Sequence, residues 1–237
     1  MTNPTGQSPV NVAYFSDVLC VWAYIAQIRL DQMRKDFAGQ IDLSCHYISV
    51  FGDVHTKIDR EWGNRRGFDG YREHVAQICQ RYDFVSLHPD TWTRTRPRSS
   101  LGCHLFLKAI ELVQNQFQHH GTTGEQGRSL IEETAWQMRL AFFHDGRDIA
   151  CRSEQMAIAE KLSLPLADLE QVLNNGAAHA RLSTDFALKE QFQITGSPTF
   201  SFNEGRQKLY GNVGYRIIEA NLHELIDTPG TDQASWC

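Results

Sequence analysis

The sequence predicts an α/β fold in which a βαβ unit and a ββα unit form one core, interrupted by an all-helical insertion. Three observations predict this architecture. Residues 11–50 have the pattern of strand, helix and strand, residues 59–182 show helical spacing, and residues 199–227 have the pattern of a hairpin followed by a helix. At 237 residues the chain has room for one large domain, or for a small domain that carries an insertion.

The βαβ unit begins with a β-prone segment at residues 11–15, which stops at Ser16-Asp17, where polar side chains favour a turn. The following helix is predicted to bury the apolar residues that recur at i, i+3, i+4 and i+7, namely Val21, Tyr24, Ile25 and Ile28. Gly39 is typical of its end, and residues 41–50 alternate between apolar and polar side chains, as a strand does. Because a helix joins the two strands, we expect a parallel pair with a right-handed crossover.

The insertion is predicted from helical spacing that extends from about Asp59 to Leu182. Polar breaks at residues 87–90, 121–124 and 145–148 separate its helices. A further helix is expected to begin at residues 164–168 and to end at residues 174–176.

The closing ββα unit starts with two β-prone segments, residues 199–202 and 207–210, that a tight connection joins into a hairpin. The last helix is predicted from the apolar residues Ile218, Leu222 and Leu225. We therefore expect a core domain of residues 10–58 and 183–227, a helical insertion domain of residues 59–182 and a frayed tail of residues 228–237.

Composition and charge exclude several function classes. A hydrophobic content of 41% with 22% charged residues argues against a disordered chain. The formal charge of −5 offers no electrostatic footprint for nucleic acid or an anionic membrane. The longest apolar run, residues 18–26, is shorter than the roughly 20 residues of a membrane helix. Residues 1–9 lack a basic start and an apolar signal core, so we expect a cytoplasmic protein.

The six cysteines include no CxxC pair, which excludes a zinc ribbon by local spacing. Cys20 stands out because it lies at the joint between the first strand and the first helix. Unpaired backbone N–H groups and the positive end of the helix dipole favour a thiolate there, so we expect its pKa to fall below the value of about 8.5 for a free thiol. The alternative is a buried structural cysteine, which is our interpretation of Cys45.

Ser197-Pro198 directly precedes the predicted hairpin and has two interpretations. A trans proline that opens a strand is sterically allowed. A cis bond would instead present the backbone of Ser197 as a short edge that pairs with an extended substrate chain. Since only about 5–6% of X–Pro bonds are cis, the residues by themselves favour trans.

Residues 15–24, Phe-Ser-Asp-Val-Leu-Cys-Val-Trp-Ala-Tyr, resemble the active-site segment of the DsbA-like branch of the thioredoxin superfamily, near FrnE-type oxidoreductases and 2-hydroxychromene-2-carboxylate isomerases. Residues 142–149 are similar to the family's helix-end motif, and residues 196–200 resemble its cis-proline loop. The resemblance extends from about residue 12 to residue 225 and implies a thioredoxin-like core with a helical insertion. It implies Cys20 as the catalytic residue, in a motif and pocket formed by Asp17, Val21, Trp22, Ala23 and Tyr24.

Redox members of this family carry two cysteines in a CxxC motif, whereas this chain has Cys20-Val21-Trp22-Ala23. With Ala23 there is no local resolving thiol, so a mixed disulfide at Cys20 cannot be released by its neighbour. The leading hypothesis is therefore monothiol exchange with glutathione or a peptide thiol, in which Ser197 and Pro198 align the partner's backbone. No tightly bound cofactor is expected, and glutathione is a candidate co-substrate.

The first alternative is a glutathione-dependent isomerase or transferase of small aromatic substrates, similar to the isomerases and to the kappa-class transferases. In those enzymes a single polar residue at the helix start hydrogen-bonds the glutathione thiolate. The kappa enzymes hold the glutamyl end of glutathione with a Gly-Ser-Asp segment, which Gly211-Asn212-Val213 replaces here without the carboxylate. The second alternative is a family member that binds peptides without catalysis.

The remaining candidates have ordinary structural explanations. His104 could assist proton transfer in the cleft, or it could simply pack inside the protein. His119-His120 has no third metal ligand at useful spacing, so no metal site is expected. Arg94, Arg96 and Arg98 form a small basic run with two interpretations: it attracts an anionic substrate, or its side chains are simply solvated at the surface. The sequence leaves a homodimer open.

Overall fold

A computed structural model describes residues 8–116 and 127–228, and within them one sheet has the strand order β2-β1-β3-β4. The bounds are Val10–Ser16 for β1, Ile41–Tyr47 for β2, Thr199–Phe202 for β3 and Gln207–Tyr210 for β4. β1 and β2 are parallel, which confirms that prediction, while β3 is antiparallel to both β1 and β4. The sheet is thus the one that a βαβ unit followed by a hairpin builds.

β2 ends at Tyr47, three residues earlier than predicted. The register pairs Ser16 with Tyr47, and Ser16 is the last residue of β1. Because a strand needs a neighbour to complete its ladder, the chain turns beyond this point, although the Ile48 N–H still donates to the Ser16 carbonyl.

Helix α1, Val21–Asp36, connects the two parallel strands and packs with the last helix, α9, Tyr215–Asp227, against one face of the sheet. The shared core of these elements contains Val12, Tyr14, Leu30, Phe200, Ile218 and Leu222. The first turns of α1 instead pack into the core of the helical segment, through Tyr24 and Ile25. The sheet and the helical segment thus cover different parts of α1, and Ile28 belongs to neither core. The prediction that Ile28 is buried is therefore wrong, because its side chain is 49% exposed.

Seven helices lie between β2 and β3 in the described residues: α2 Val54–Trp62, α3 Gly67–Cys79, α4 Leu101–Gln116, α5 Leu130–Arg139, α6 Arg152–Lys161, α7 Leu166–Asn174 and α8 Ala177–Gln191. A 3-10 turn, Gly63–Arg65, precedes α3, and a π turn, Leu140–His144, follows α5. The predicted domain boundaries at 58/59 and 182/183 fall inside α2 and α8, which continue across them. The predicted polar break at residues 121–124 and all of the tail beyond residue 228 lie outside the described residues.

The predicted run of helices is interrupted between α3 and α4 by a long irregular connection, which Trp92 anchors in the core. The Trp92 ring contacts the rings of Phe51, Tyr71 and Phe142 at centroid distances of 5.6, 5.2 and 4.9 Å. Burial of this large side chain fixes a segment that has no regular backbone ladder of its own. None of the described helices combines the length and apolar character required to cross a bilayer.

Candidate functional site

Cys20 lies between the end of β1 and the start of α1, as predicted. Its backbone is extended, with φ −82° and ψ 118°, and its carbonyl accepts the Tyr24 N–H of the first helical turn. The thiol is nearly enclosed, since Cys20 is 6% exposed, and Sγ donates to the Ser197 carbonyl oxygen at 3.3 Å. The helix start and the loop before β3 therefore meet at this sulfur.

The Ser197–Pro198 peptide bond is cis, so the less frequent of the two interpretations is the observed one. The Ser197 Oγ accepts the Asp17 N–H at 2.9 Å, and the Gly211 N–H donates to the Pro198 carbonyl at 2.9 Å. Within residues 8–116 and 127–228, no hydrogen bond engages the Ser197 N–H. This leaves a backbone donor next to the thiol for an extended ligand chain.

The expectation of a lowered pKa at Cys20 is wrong. Burial raises the pKa of the Cys20 thiol, and the nearby Asp17 carboxylate raises it further. The N–H groups of Trp22 and Ala23 at the helix start favour the thiolate, but they do not outweigh the loss of water. Cys20 is consequently a neutral thiol at pH 7 in this structure.

The Asp17 carboxylate is fully buried and organises the loop before Cys20. One oxygen accepts the Leu19 N–H at 2.9 Å, and the other accepts the Phe51 N–H at 2.8 Å and the Ser100 hydroxyl at 2.7 Å. Burial alone would raise its pKa, but the facing His104 ring and these donors hold the pKa of Asp17 below its ordinary value. Asp17 is therefore a structural anion beneath the site.

His104 is fully buried behind the same loop and does not reach an open cleft. Its Nε2 lies 3.3 Å from the Val18 backbone nitrogen and 3.6 Å from Asp17 Oδ1. Its ring stacks on Tyr47 at a centroid distance of 5.4 Å, and Nδ1 has no hydrogen-bond partner among the described residues. These contacts agree with the interpretation in which His104 packs inside the protein, and not with a role in proton transfer in the cleft.

The other residues of the Cys20 motif pack into the protein. Val21 and Ala23 are buried, and Trp22 is half-buried against the same core. The Tyr24 ring stacks between Trp136 and Phe143, at 5.4 and 4.8 Å, in the helical segment. These side chains therefore attach the first turns of α1 to the helical segment.

Gly211 and Asn212 differ in their relation to the site. Gly211 adjoins the cis-proline loop through its bond to Pro198 and has a left-handed φ of +84°, which suits a glycine. The Asn212 side chain donates to the Tyr82 hydroxyl at 2.7 Å and so joins the segment after β4 to the connection after α3 at the surface. Asn212 is therefore already engaged by the protein.

Sequence reasoning missed Ser100, the Phe51 N–H and Arg139. Arg139 is buried and donates to the Ser16 hydroxyl at 3.0 Å, one residue before Asp17. The partners of Asp17 lie 34 and 83 residues away along the chain, and no local pattern marks them.

The weaker candidates remain outside the site. Arg94, Arg96 and Arg98 are exposed, as solvated residues are, and Arg96 lies over the Phe68 ring at 4.6 Å. His119-His120 lies outside the described residues. Among described residues, no group of three metal-ligating side chains comes together. Four described cysteines besides Cys20 are free thiols, of which Cys151 is exposed.

Comparison with known proteins agrees with this architecture. The probable DsbA oxidoreductase from Streptomyces coelicolor has a TM-score of 0.68 at 16% identity, with 94% of this chain and 93% of that chain covered. The cytosolic disulfide reductase DsbM from Pseudomonas aeruginosa, solved with GSH, has a TM-score of 0.60 at 18% identity, with 90% and 99% covered. A 2-hydroxychromene-2-carboxylate isomerase has a TM-score of 0.58 at 16% identity, with 91% and 95% covered. At these identities the likeness shows the shared fold.

Curated proteins give no match to this sequence. A family model described as a DSBA-like thioredoxin domain matches residues 97–223, just over half of the 237 residues. That match includes the cis-proline loop and begins after Cys20, whose placement rests on the geometry above. The chain belongs to the DsbA-like thioredoxin domain family.

Proposed function

We propose that this chain catalyses thiol–disulfide exchange through the single thiol of Cys20, with glutathione or a peptide thiol as its partner. The observation that carries the proposal is the position of Cys20 Sγ, 3.3 Å from the carbonyl of Ser197 and immediately before cis-Pro198. The unengaged Ser197 N–H supports it, because a partner that extends along this loop finds a backbone donor beside the sulfur.

Because Ala23 stands where a second thiol would resolve a mixed disulfide, the resolving thiol must come from another molecule. The Cys20 thiolate attacks glutathione disulfide, forms a Cys20–glutathione mixed disulfide and releases one glutathione thiolate. A substrate thiolate then attacks the glutathione sulfur, takes the glutathionyl group and restores the Cys20 thiolate. The net result is transfer of one glutathionyl group, and the reverse sequence removes it. Since burial raises the pKa of Cys20, exchange is expected to be slow at neutral pH and to accelerate with rising pH.

Mass spectrometry after mild treatment with glutathione disulfide tests the proposal. We expect a glutathione adduct on Cys20 of the folded protein, at a rate that rises with pH, while Cys103 stays unmodified because it is fully buried. Cys151→Ser is the matched control, since it removes the exposed thiol without touching the site. Modification confined to Cys151 would overturn the proposal.

A second candidate, a glutathione-dependent isomerase or transferase of small aromatic compounds, is favoured by the raised pKa of Cys20. A thiol that stays protonated at pH 7 can donate a hydrogen bond to a glutathione thiolate, as a hydroxyl does. Glutathione that bound the folded state in this way would raise the melting temperature.

Cys20→Ser separates the two candidates. Serine keeps a donor but cannot form a disulfide, so glutathione stabilisation would survive under the second candidate and all covalent capture would be lost under the first. Cys20→Ala would abolish both. If the parent protein forms no glutathione adduct and peptide binding persists in Cys20→Ala, the chain is instead a non-catalytic binding protein.

A further inference from the structure

A hydrogen-bonded chain of serine, histidine and aspartate lies on β2 and α8, apart from Cys20. Ser44 Oγ lies 3.0 Å from His46 Nε2, and His46 Nδ1 lies 2.9 Å from Asp185 Oδ1. Ser44 and His46 share one face of β2 because side chains alternate along a strand. A nucleophile, a base and an orienting carboxylate in this order form the arrangement that activates a serine hydroxyl.

The carboxylate of the chain is fixed on both oxygens. Besides His46, Asp185 accepts the Tyr47 N–H at 2.7 Å and the Lys108 ammonium at 2.9 Å, and it is fully buried. Although burial opposes ionisation, hydrogen bonding to His46 and the charge of Lys108 hold the pKa of Asp185 below its ordinary value. An ionised Asp185 is thus present to orient the imidazole.

The imidazole of His46 is held in the orientation that a base needs. Its ring stacks on Phe15 at a centroid distance of 4.9 Å. Because Asp185 is an acceptor, the proton of the neutral ring lies on Nδ1, which leaves the Nε2 lone pair facing the Ser44 hydroxyl. When Nε2 accepts the Ser44 proton, the resulting imidazolium cation lies next to the Asp185 carboxylate, which stabilises it.

Ser44 is the accessible member of the chain. It is half-buried, whereas His46 and Asp185 are buried. Its register partner on β1 is Ala13, which belongs to a small apolar cluster with the half-buried Leu188 and Phe192 on the same sheet face. An acyl group that reaches Ser44 would therefore meet apolar neighbours.

We propose that Ser44 is an activated nucleophile that accepts an acyl group from small carboxylic esters. The Ser44 oxygen attacks the ester carbonyl while its proton passes to His46 Nε2. The alkoxide leaves with that proton, and the acyl group stays on Ser44 as an ester. Water then attacks this ester, loses a proton to His46 and releases a carboxylic acid, and the proton returns to Ser44. This activity is independent of Cys20.

A fluorophosphonate probe, followed by peptide mass spectrometry, tests the proposal on the full chain. We use Cys20→Ser as the parent so that the thiol site does not contribute. Ser44 should be labelled in the folded protein, whereas Ser183, an exposed serine whose hydroxyl donates to the Ala180 carbonyl, should not. Labelling should disappear in Ser44→Ala.

His46→Gln should slow the labelling of Ser44 by about 100-fold or more, the range that a general base contributes. His179→Gln, on the exposed side of α8, is the matched control and should label normally. Melting temperatures report whether each variant folds. If His46→Gln does not fold, the folded parent decides: Ser44 must be labelled at least about 100-fold faster than Ser183, whose hydroxyl faces a backbone carbonyl and not a base. An unlabelled Ser44 in the folded parent, equal labelling of Ser44 in folded His46→Gln, or equal labelling of Ser44 and Ser183 in the parent would overturn the proposal.

Discussion

The backbone N–H of Asp17 donates to the Ser197 hydroxyl at 2.9 Å, a buried bond between residues 180 positions apart. It joins the loop before Cys20 to the loop that carries cis-Pro198, and the Cys20 thiol bonds the Ser197 carbonyl beside it. Because both bonds converge on one residue, the position of the sulfur relative to the proline loop depends on Ser197.

Ser197→Ala should therefore destabilise the protein although it removes only one oxygen atom. The buried Asp17 N–H would lose its acceptor, and a buried unpaired donor costs about 1–3 kcal/mol. Urea unfolding measures the change. Ser183→Ala, which removes an exposed hydroxyl, is the control and should stay within about 0.5 kcal/mol of the parent. Equal effects of the two substitutions would contradict the role given to Ser197.

The alkylation rate of Cys20 should reach half its maximum above pH 8.5, about the value of a free thiol, because burial raises the pKa. Iodoacetamide kinetics, resolved by peptide mass spectrometry, measure this rate at each pH, with free glutathione as the reference thiol. If Cys20 reaches its half-maximal rate at a lower pH than glutathione does, the helix start outweighs burial and the prediction is wrong.

The same shift makes Cys20 a source of alkaline instability. In the unfolded chain the thiol ionises near pH 8.5, whereas in the folded chain it keeps its proton to a higher pH. Its contribution to the free energy of unfolding is therefore complete below about pH 8.5 and is lost as the pH rises towards the folded pKa. The stability difference between the parent and Cys20→Ser, measured by urea unfolding at pH 7 and pH 10, should move in favour of Cys20→Ser at the higher pH. A difference that does not change with pH would refute this.

Asp17→Asn should cost about 1–3 kcal/mol, because an amide oxygen cannot replace both carboxylate oxygens as acceptors for Leu19, Phe51 and Ser100. The folded pKa of Asp17 lies below its unfolded value of about 3.9, so this contribution is present above pH 4 and is lost as the pH falls through the folded pKa. Denaturant unfolding at pH 7 and pH 3 should show a gap between parent and variant that narrows in acid. Asp42→Asn, at an exposed position of β2, is the control and should change little at either pH.

The sequence was sufficient for features that depend on local pattern. The βαβ order, the hairpin and the position of Cys20 at a helix start all follow from periodicity and turn residues, and the resemblance led to the cis-proline loop. The sign of the pKa shift at Cys20 did not follow, because the sulfur shares a buried cluster with Phe51 and Tyr71, which distant parts of the chain supply. The partners of Asp17 were hidden for the same reason, since burial is a property of the assembled fold.

Helix α1 gives the sharpest test of where periodicity fails. Its spacing placed Ile25 and Ile28 on one buried face, yet Ile25 is fully buried and Ile28 is 49% exposed, since α1 is covered by the sheet on one side and by the helical segment on the other. Ile25→Ala should cost about 2–5 kcal/mol, the range for a buried isoleucine that leaves a cavity. Ile28→Ala should stay within about 0.5 kcal/mol. Thermal or urea unfolding of the two variants compares the same chemical change on neighbouring turns of one helix. A large cost at Ile28 would mean that another surface covers it in solution.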